Sequence, residues 1–175
     1  RLVGSEMCIR DRLGADLEVV HHSQFIGQLV SDGKISPKAW LDEDVTYHDA
    51  CYLGRHNDEY DAPRDVIQSI MKDGNLKEME QSREESFCCG AGGGNMWYEI
   101  KTGERINHNR FKQAAKTGAT TVATACNFCN IMMEDGMKVT GNDEKMKVMD
   151  IAELVSKSCL LYTSPSPRDA TLSRM

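Results

Sequence analysis

The chain has 175 residues, 21 basic and 27 acidic, for a formal net charge of −6, and 40% of them are hydrophobic. That acidic balance is a poor footprint for nucleic acid, which favours a basic face. No apolar run approaches the roughly 20 residues that cross a bilayer, and no low-complexity tract, repeat or heptad pattern is present.

Both ends read as foreign to the fold. Back-translated, residues 1–12 are the reverse complement of DNA encoding Cys159–Asp169, as a sequencing adapter translated at both ends would be. Residues 1–12 and 159–175 are set aside with Cys8 and Cys159, leaving a domain-sized stretch, 13–158. The ends carry five basic and three acidic residues, so the stretch holds 16 against 24, a net of −8.

Leu17–Val20 is a short apolar run leading into a helix predicted over His22–Val30. Phe25, Ile26, Leu29 and Val30 recur there at helical spacing, and Gly33 closes it. The acidic Asp42–Asp44 reads as a solvated loop. Val45–Tyr47 reads as a strand, with Cys51 just past its end. Asp61 is a candidate helix cap with Pro63 in the first turn; Val66, Ile67, Ile70 and Met71 form the buried face and Gly74 the stop. Leu76–Met79 is a candidate strand. A helix is predicted over Glu104–Lys116, with Ile106, Phe111, Ala114 and Ala115 inward and Gly118 at its end. Thr120–Ala125 has the small, apolar character of a buried parallel strand. It feeds Cys126-Asn-Phe-Cys129 and a Met-rich helix to about Lys138, whose Met132, Met133 and Met137 read as core filling. Met146–Asp150 is a last strand and Ile151–Val155 a closing helix. Strands alternating with helices imply an α/β fold, a parallel-rich sheet flanked by helices. Ligands of such sheets gather outside the carboxyl ends of the strands, where the cysteines fall.

The stretch contains five cysteines, an odd number that a disulfide framework would leave unmatched. Reduced, metal-binding thiols of a cytosolic compartment fit better. Their spacing is Cys51, then 36 residues, Cys88-Cys89, then 36 residues, Cys126-x-x-Cys129. A CxxC at the mouth of a helix lets two thiolates grip one centre, favoured by the helix dipole. Adjacent cysteines in a strand would point to opposite faces, so using both requires a turn, which Gly90, Gly92, Gly93 and Gly94 supply. Glycine also lets backbone N–H groups approach sulfur and tune its charge. A structural zinc takes four thiolates and an ordinary cubane cluster also takes four. Five leaves either an idle cysteine or a centre that binds all of them.

Other readings compete. The glycine run lacks the third glycine of a dinucleotide fingerprint, with Asn95 in its place, and no Gly-Lys-Ser/Thr follows. Cys126–Cys129 alone resembles a redox dithiol, and zinc on four of the five remains open. His48 is a candidate hydrogen-bond partner of the centre or a structural histidine; His21, His22 and His56 carry no assignment, and His108 reads as solvated. Trp97 and Tyr98 could wall the centre from water or simply pack after a turn. Nothing singles out Arg55, Arg64 or Arg105 beyond a general affinity for anions.

TYHDACYLGRHN, YDAPRDVI, SFCCGAGGGNMWYE, RINHNR and VATACNFCNIMMEDG together span nearly the whole stretch. In these the chain resembles the cysteine-rich CCG domain of heterodisulfide reductase and its relatives. It is most similar to those linked to electron-transfer flavoprotein and quinone reduction. Asn127 departs from the family, which usually has Pro there. The resemblance implies an electron-transfer domain of an oxidoreductase. Cys51, Cys88, Cys89, Cys126 and Cys129 would hold a 4Fe–4S cluster, noncubane in the heterodisulfide reductase case, with Gly90, Gly92 and Gly93 beside it. It also implies other domains or subunits of a redox complex as partners: a flavoprotein donor and a quinone or disulfide acceptor. The alternative is a structural zinc-bound docking domain without a redox step.

Overall fold

The computed structural model describes residues 19–37, 40–72, 76–99 and 103–159. Leu17, Glu18, Gly74, residues 1–12 and residues 160–175 lie outside them.

Three short parallel strands form one sheet in the order β1 (Val45–Tyr47), β2 (Thr121–Thr124), β3 (Lys147–Asp150). The register pairs Tyr47 with Ala123 and Ala123 with Met149. Both faces are covered, as an all-parallel sheet requires. On one face Val45, Tyr47, Ala123 and Met149 meet α3 (Asp61–Ile70) and α6 (Ile151–Cys159), with α1 (His22–Ser31) outside α3; the single-turn α2 (Gly54–Asn57) precedes α3. On the other, Val122 and Val148 meet α4 (Ile106–Lys116) and α5 (Asn127–Val139). The expected α/β architecture is present.

Helix α3 buries the expected stripe of Val66, Ile67 and Ile70. Asp61 does not cap it. Tyr60 holds the cap position without a side-chain bond, and Asp61 is the first helical residue, where its charge favours the helix dipole. Leu76–Met79 is not a strand: one parallel bridge joins Leu76 to Val45, and Lys77 N–H donates to Val45 O at 2.8 Å. Lys77 and Glu78 are poor strand formers, and no further rung follows among the described residues. The acidic loop is not simply solvated either. Glu43 accepts from Lys147 at 2.6 Å and Thr121 at 2.7 Å, and Asp44 pairs with Lys77 at 2.7 Å, which ties together the amino ends of the strands. Burial opposes ionisation of Glu43, but the Lys147 and Thr121 hydrogen bonds outweigh it and hold the carboxyl below its ordinary range.

Met132, Met133 and Met137 fill the core as expected, at 4%, 0% and 8% exposure. Helix α5 comes close to α4 at Gly136, where an added Cβ would stand 2.8 Å from Asn107 O and 2.9 Å from Phe111 Cβ. Backbone cannot yield cheaply at that distance. Gly136→Val is therefore expected to destabilise the fold by about 1–3 kcal/mol, and thermal unfolding should fall by several degrees. An unchanged midpoint would mean that the two helices are not held this closely.

Candidate metal centre

The sulfurs converge at the carboxyl ends of β1 and β2. After Tyr47, His48 N–H continues the ladder to Ala123 O at 2.9 Å, and the chain then turns outward through Asp49 and Ala50 to Cys51. After Thr124, Ala125 leads to Cys126, the N-cap of α5, and one turn later to buried Cys129. Asn127 is the first residue of the helix. Proline is also well suited to that position, so the departure from the family pattern leaves the turn intact.

Cys88 and Cys89 arrive on the loop between the short helical turn Arg83–Glu85 and Gly90. Cys89 Sγ and Cys129 Sγ are 3.5 Å apart. Cys88 interacts with Cys89, Cys126 with Cys129, and Cys51 feels the charge of Cys89 and Cys126. One cavity is lined by Cys51, Cys88, Cys89 and Cys129; Cys126 joins through Cys129 and not through the cavity wall. No disulfide links the described cysteines. Cys159, at the end of α6, is not in the group.

Gly90 N–H donates to Cys88 Sγ at 3.2 Å. Its φ of +87° and an added Cβ only 3.0 Å from Ile106 Cβ both require glycine. Among the described residues no hydrogen bond runs from Gly92 or Gly93 to a sulfur; those residues shape the turn that follows.

Three arginines pin the Cys88–Cys89 loop. Arg64 forks onto Asp49 at 2.7 and 3.0 Å and onto Glu78 at 2.6 and 2.9 Å. Asp49 in turn accepts from Arg83 N–H at 3.0 Å. Burial opposes the Arg64 charge, but the Glu78 and Asp49 hydrogen bonds raise its pKa above the ordinary value. Arg55 donates to Ser86 O, and Arg110 donates to Ser86 Oγ at 3.2 Å. Arg55 and Arg64 are thus engaged within the protein, and Arg105 stands 3.8 Å from Asp135.

Sequence reasoning missed Arg110 and Asn107, both fully buried on α4. The Phe111–Ala114–Ala115 pattern gave no sign of them, because polar residues at helical spacing read as a solvated face. Asn107 donates to Met132 O at 3.1 Å and Asp135 at 2.7 Å. His108 is only partly solvated: its side chain is 16% exposed, 3.7 Å from Asp135. His48 is buried, and its Nδ1 accepts from Arg110 Nε–H at 2.9 Å. His48, Cys89 and Cys129 bring ligand-type atoms within 4.8 Å of one another. His21 caps α1, His22 lies 3.5 Å from Asp150, and His56 stacks near Tyr52. Trp97 and Tyr98 neither pack nor wall the site: they are 82% and 73% exposed.

Crowding divides the thiols. Hydrogen bonds from Cys129 and Cys88 hold Cys89 far below its ordinary pKa. Cys126 is held down to about 6, chiefly by Cys129 and further by the facing Phe128 and Cys129 N–H groups, against the effect of burial. Those N–H groups fall short of full cap geometry. Cys88 is pushed up by its bond to Cys89 and by burial, Cys129 by Cys126, Cys89 and burial, and Cys51 by burial and negative neighbours. The protein alone therefore favours ionising two sulfurs and resists the rest. A cationic centre removes that resistance, and a set of soft thiolates suits iron–sulfur or zinc. The donor set fits a metal centre.

The chain matches the family described as "Cysteine-rich domain" (CCG) over residues 45–134. It is 43% identical over 147 residues to the "Probable iron-sulfur-binding oxidoreductase FadF" of Bacillus subtilis, covering 84% of this chain and 21% of that protein. It is 40% identical over 154 residues to the "EtfAB:quinone oxidoreductase" of Syntrophomonas wolfei, again 84% and 21%. Against one subunit of the "Dihydromethanophenazine:CoB--CoM heterodisulfide reductase" of Methanosarcina barkeri it is 36% identical over 169 residues, covering 94% of this chain and 37% of that one. The chain thus spans between about a fifth and two fifths of these relatives.

In the metal-free protein, Cys126 should react with iodoacetamide half-maximally near pH 6. Cys51 should require a pH above the ordinary thiol range. Because the Cys126 pKa is depressed on folding, its contribution to stability is complete above the unfolded thiol value of about 8.5. It is lost as pH falls toward 6. Peptide mapping of the alkylated protein checks the order; equal labelling of both cysteines at pH 6 would contradict it.

Proposed function

Because the chain belongs to the CCG cysteine-rich domain family, we propose that it is the iron–sulfur electron-transfer domain of a larger oxidoreductase. In this reading Cys51, Cys88, Cys89, Cys126 and Cys129 hold one 4Fe–4S centre, with Gly90 donating to a ligand sulfur and Gly92 and Gly93 shaping the adjoining turn. The observation that carries it is the convergence of these sulfurs, drawn from three separate segments, at the carboxyl edge of one parallel sheet. A cubane takes four thiolates; the fifth supports a noncubane centre.

Such a centre supplies one-electron storage and delivery when bound. The chain's own residues do the rest. Buried Cys89 and Cys129 hold the inner side away from water, while Cys51, Cys88 and Cys126 are partly exposed. Gly90 N–H and the first turn of α5 direct partial positive charge at sulfur. The Arg64–Asp49 pair and Arg55 fix the loop, so that the sulfurs need little reorganisation when charge changes. Phe128, between Cys126 and Cys129 and 56% exposed, offers an apolar rim for a partner.

The names of the relatives support a flavoprotein donor and a quinone or disulfide acceptor within a multi-subunit redox complex. We further propose a cytoplasmic domain of a membrane-associated parent protein, a reading supported by a relative named "Probable membrane-anchored ferredoxin". No helix among the described residues is long and apolar enough to cross a bilayer.

One observation favours a second reading, a structural zinc. Two thiolates on one tetrahedral ion with bonds of about 2.3 Å lie about 3.8 Å apart, and the Cys89–Cys129 separation is 3.5 Å. Composition decides. Anaerobically purified protein is expected to be brown, to contain about four irons with matching acid-labile sulfide, and to bleach on reduction. Cys89→Ala and Cys129→Ala should remove most of the iron, whereas Cys159→Ala should leave it unchanged. Colourless protein with one zinc and no sulfide would establish the second reading instead.

A further inference from the structure

Arg110 carries an inference that rests on the cluster reading above but concerns a residue outside the sulfur set. The residue is 0% exposed, and a buried cation is costly unless opposite charge lies near. All its hydrogen bonds go to neutral groups. Nε donates to His48 Nδ1 at 2.9 Å, Nη1 to Gln81 O at 2.8 Å and Gln113 Oε1 at 2.7 Å, and Nη2 to Ser86 Oγ at 3.2 Å. Among the described residues no carboxylate forms an ion pair with it. Arg64, the other buried arginine, is held between Asp49 and Glu78. Burial lowers the Arg110 pKa to about 10, so the group remains charged at neutral pH. The negative charge acting on it is Asp49 first, without a hydrogen bond between them, and then the sulfurs of Cys129, Cys89 and Cys88.

The contact with His48 fixes more than position. A guanidinium donates and never accepts, so Nδ1 of His48 must present its lone pair to Arg110. The ring proton then resides on Nε2, the only hydrogen the imidazole has left to donate. The imidazole lies beside Cys89 and Cys129, with ligand-type atoms of all three within 4.8 Å of one another.

We infer that Arg110 is a positioning and charge-compensating residue for the centre. Its buried positive charge offsets the thiolates, and its hydrogen bond holds His48 as an N–H donor to sulfur, so that together they raise the reduction potential. The direction follows from elementary electrostatics. Reduction adds an electron to a site already rich in negative sulfur, and a nearby cation and N–H dipole stabilise the product more than the reactant. A merely structural Arg110 would affect folding and metal loading and leave the potential where it was.

The test is an EPR-monitored redox titration of the anaerobically purified, iron-loaded full chain, which reads only the loaded fraction. At the wild-type midpoint, the ratio of reduced to oxidised centre in Arg110→Gln is expected to be about tenfold lower. That corresponds to a potential about 59 mV lower for a one-electron couple. Arg110→Lys, which keeps the charge, should stay within about threefold of wild type. His48→Phe should shift in the same direction as Arg110→Gln and lose an exchangeable-proton coupling to the paramagnetic centre, seen by ENDOR after transfer to deuterated buffer. Reduced stability or loading with an unchanged potential in Arg110→Gln would overturn the inference. If Arg110→Gln loads no iron, His48→Phe decides, and an unchanged potential with the proton coupling intact overturns it. Wild-type protein with no sulfide and no EPR signal in either oxidation state would sink the cluster reading itself, an outcome separate from any difference among the variants.

Discussion

Five thiols forced into one half-buried site repel one another as soon as they ionise, and the arrangement around them answers that constraint. The sulfurs of Cys89 and Cys129 are in contact, and the crowded thiols divide into two that ionise readily and three that resist. A positively charged inorganic centre would relieve that repulsion from within. Around it the fold adds its own compensation: the buried charge of Arg110, the Gly90 N–H and the first turn of α5.

Position is enforced by elements that have no sulfur of their own. The parallel sheet sends the ends of β1 and β2 to the same edge, which places Cys51 beside the Cys126–Cys129 turn. The third segment has no strand to anchor it. Asp49, held by Arg64, grips the Arg83 backbone, and Ser86 is held from two sides by Arg55 and Arg110. Buried ion pairs add uncertain stability, but here they fix where a loop stands. Gly90 then turns the chain at a point where no side chain fits.

Much of this was legible in the residues. The small, β-rich run before Cys126 marked the central strand, the Val66–Ile67–Ile70 stripe marked α3, and the methionines of α5 were rightly assigned to the core. The five cysteines that the resemblance nominates come together in the fold. What escaped depends on partners distant in sequence. Arg110 and His48 are 62 residues apart and Arg64 and Asp49 are 15 apart, and no local pattern announces either pairing. Leu76–Met79 reads as a strand only from its apolar ends; with Lys77 and Glu78 between them and no β-branched residue, a single bridge forms. Glu43 and Asp44 read as solvated because Lys147, Thr121 and Lys77 meet them only in the folded sheet. Trp97 and Tyr98 stand in solvent although aromatic residues after a tight turn ordinarily pack.

The central claim is that one polynuclear centre occupies the sulfur site. X-ray absorption at the iron edge of anaerobically isolated protein reads it most directly. The account expects a shell of sulfur neighbours together with a distinct iron–iron scattering shell, and the loss of both in Cys89→Ala. Zinc in a purely sulfur shell, with no metal neighbour and no bound iron, would contradict it.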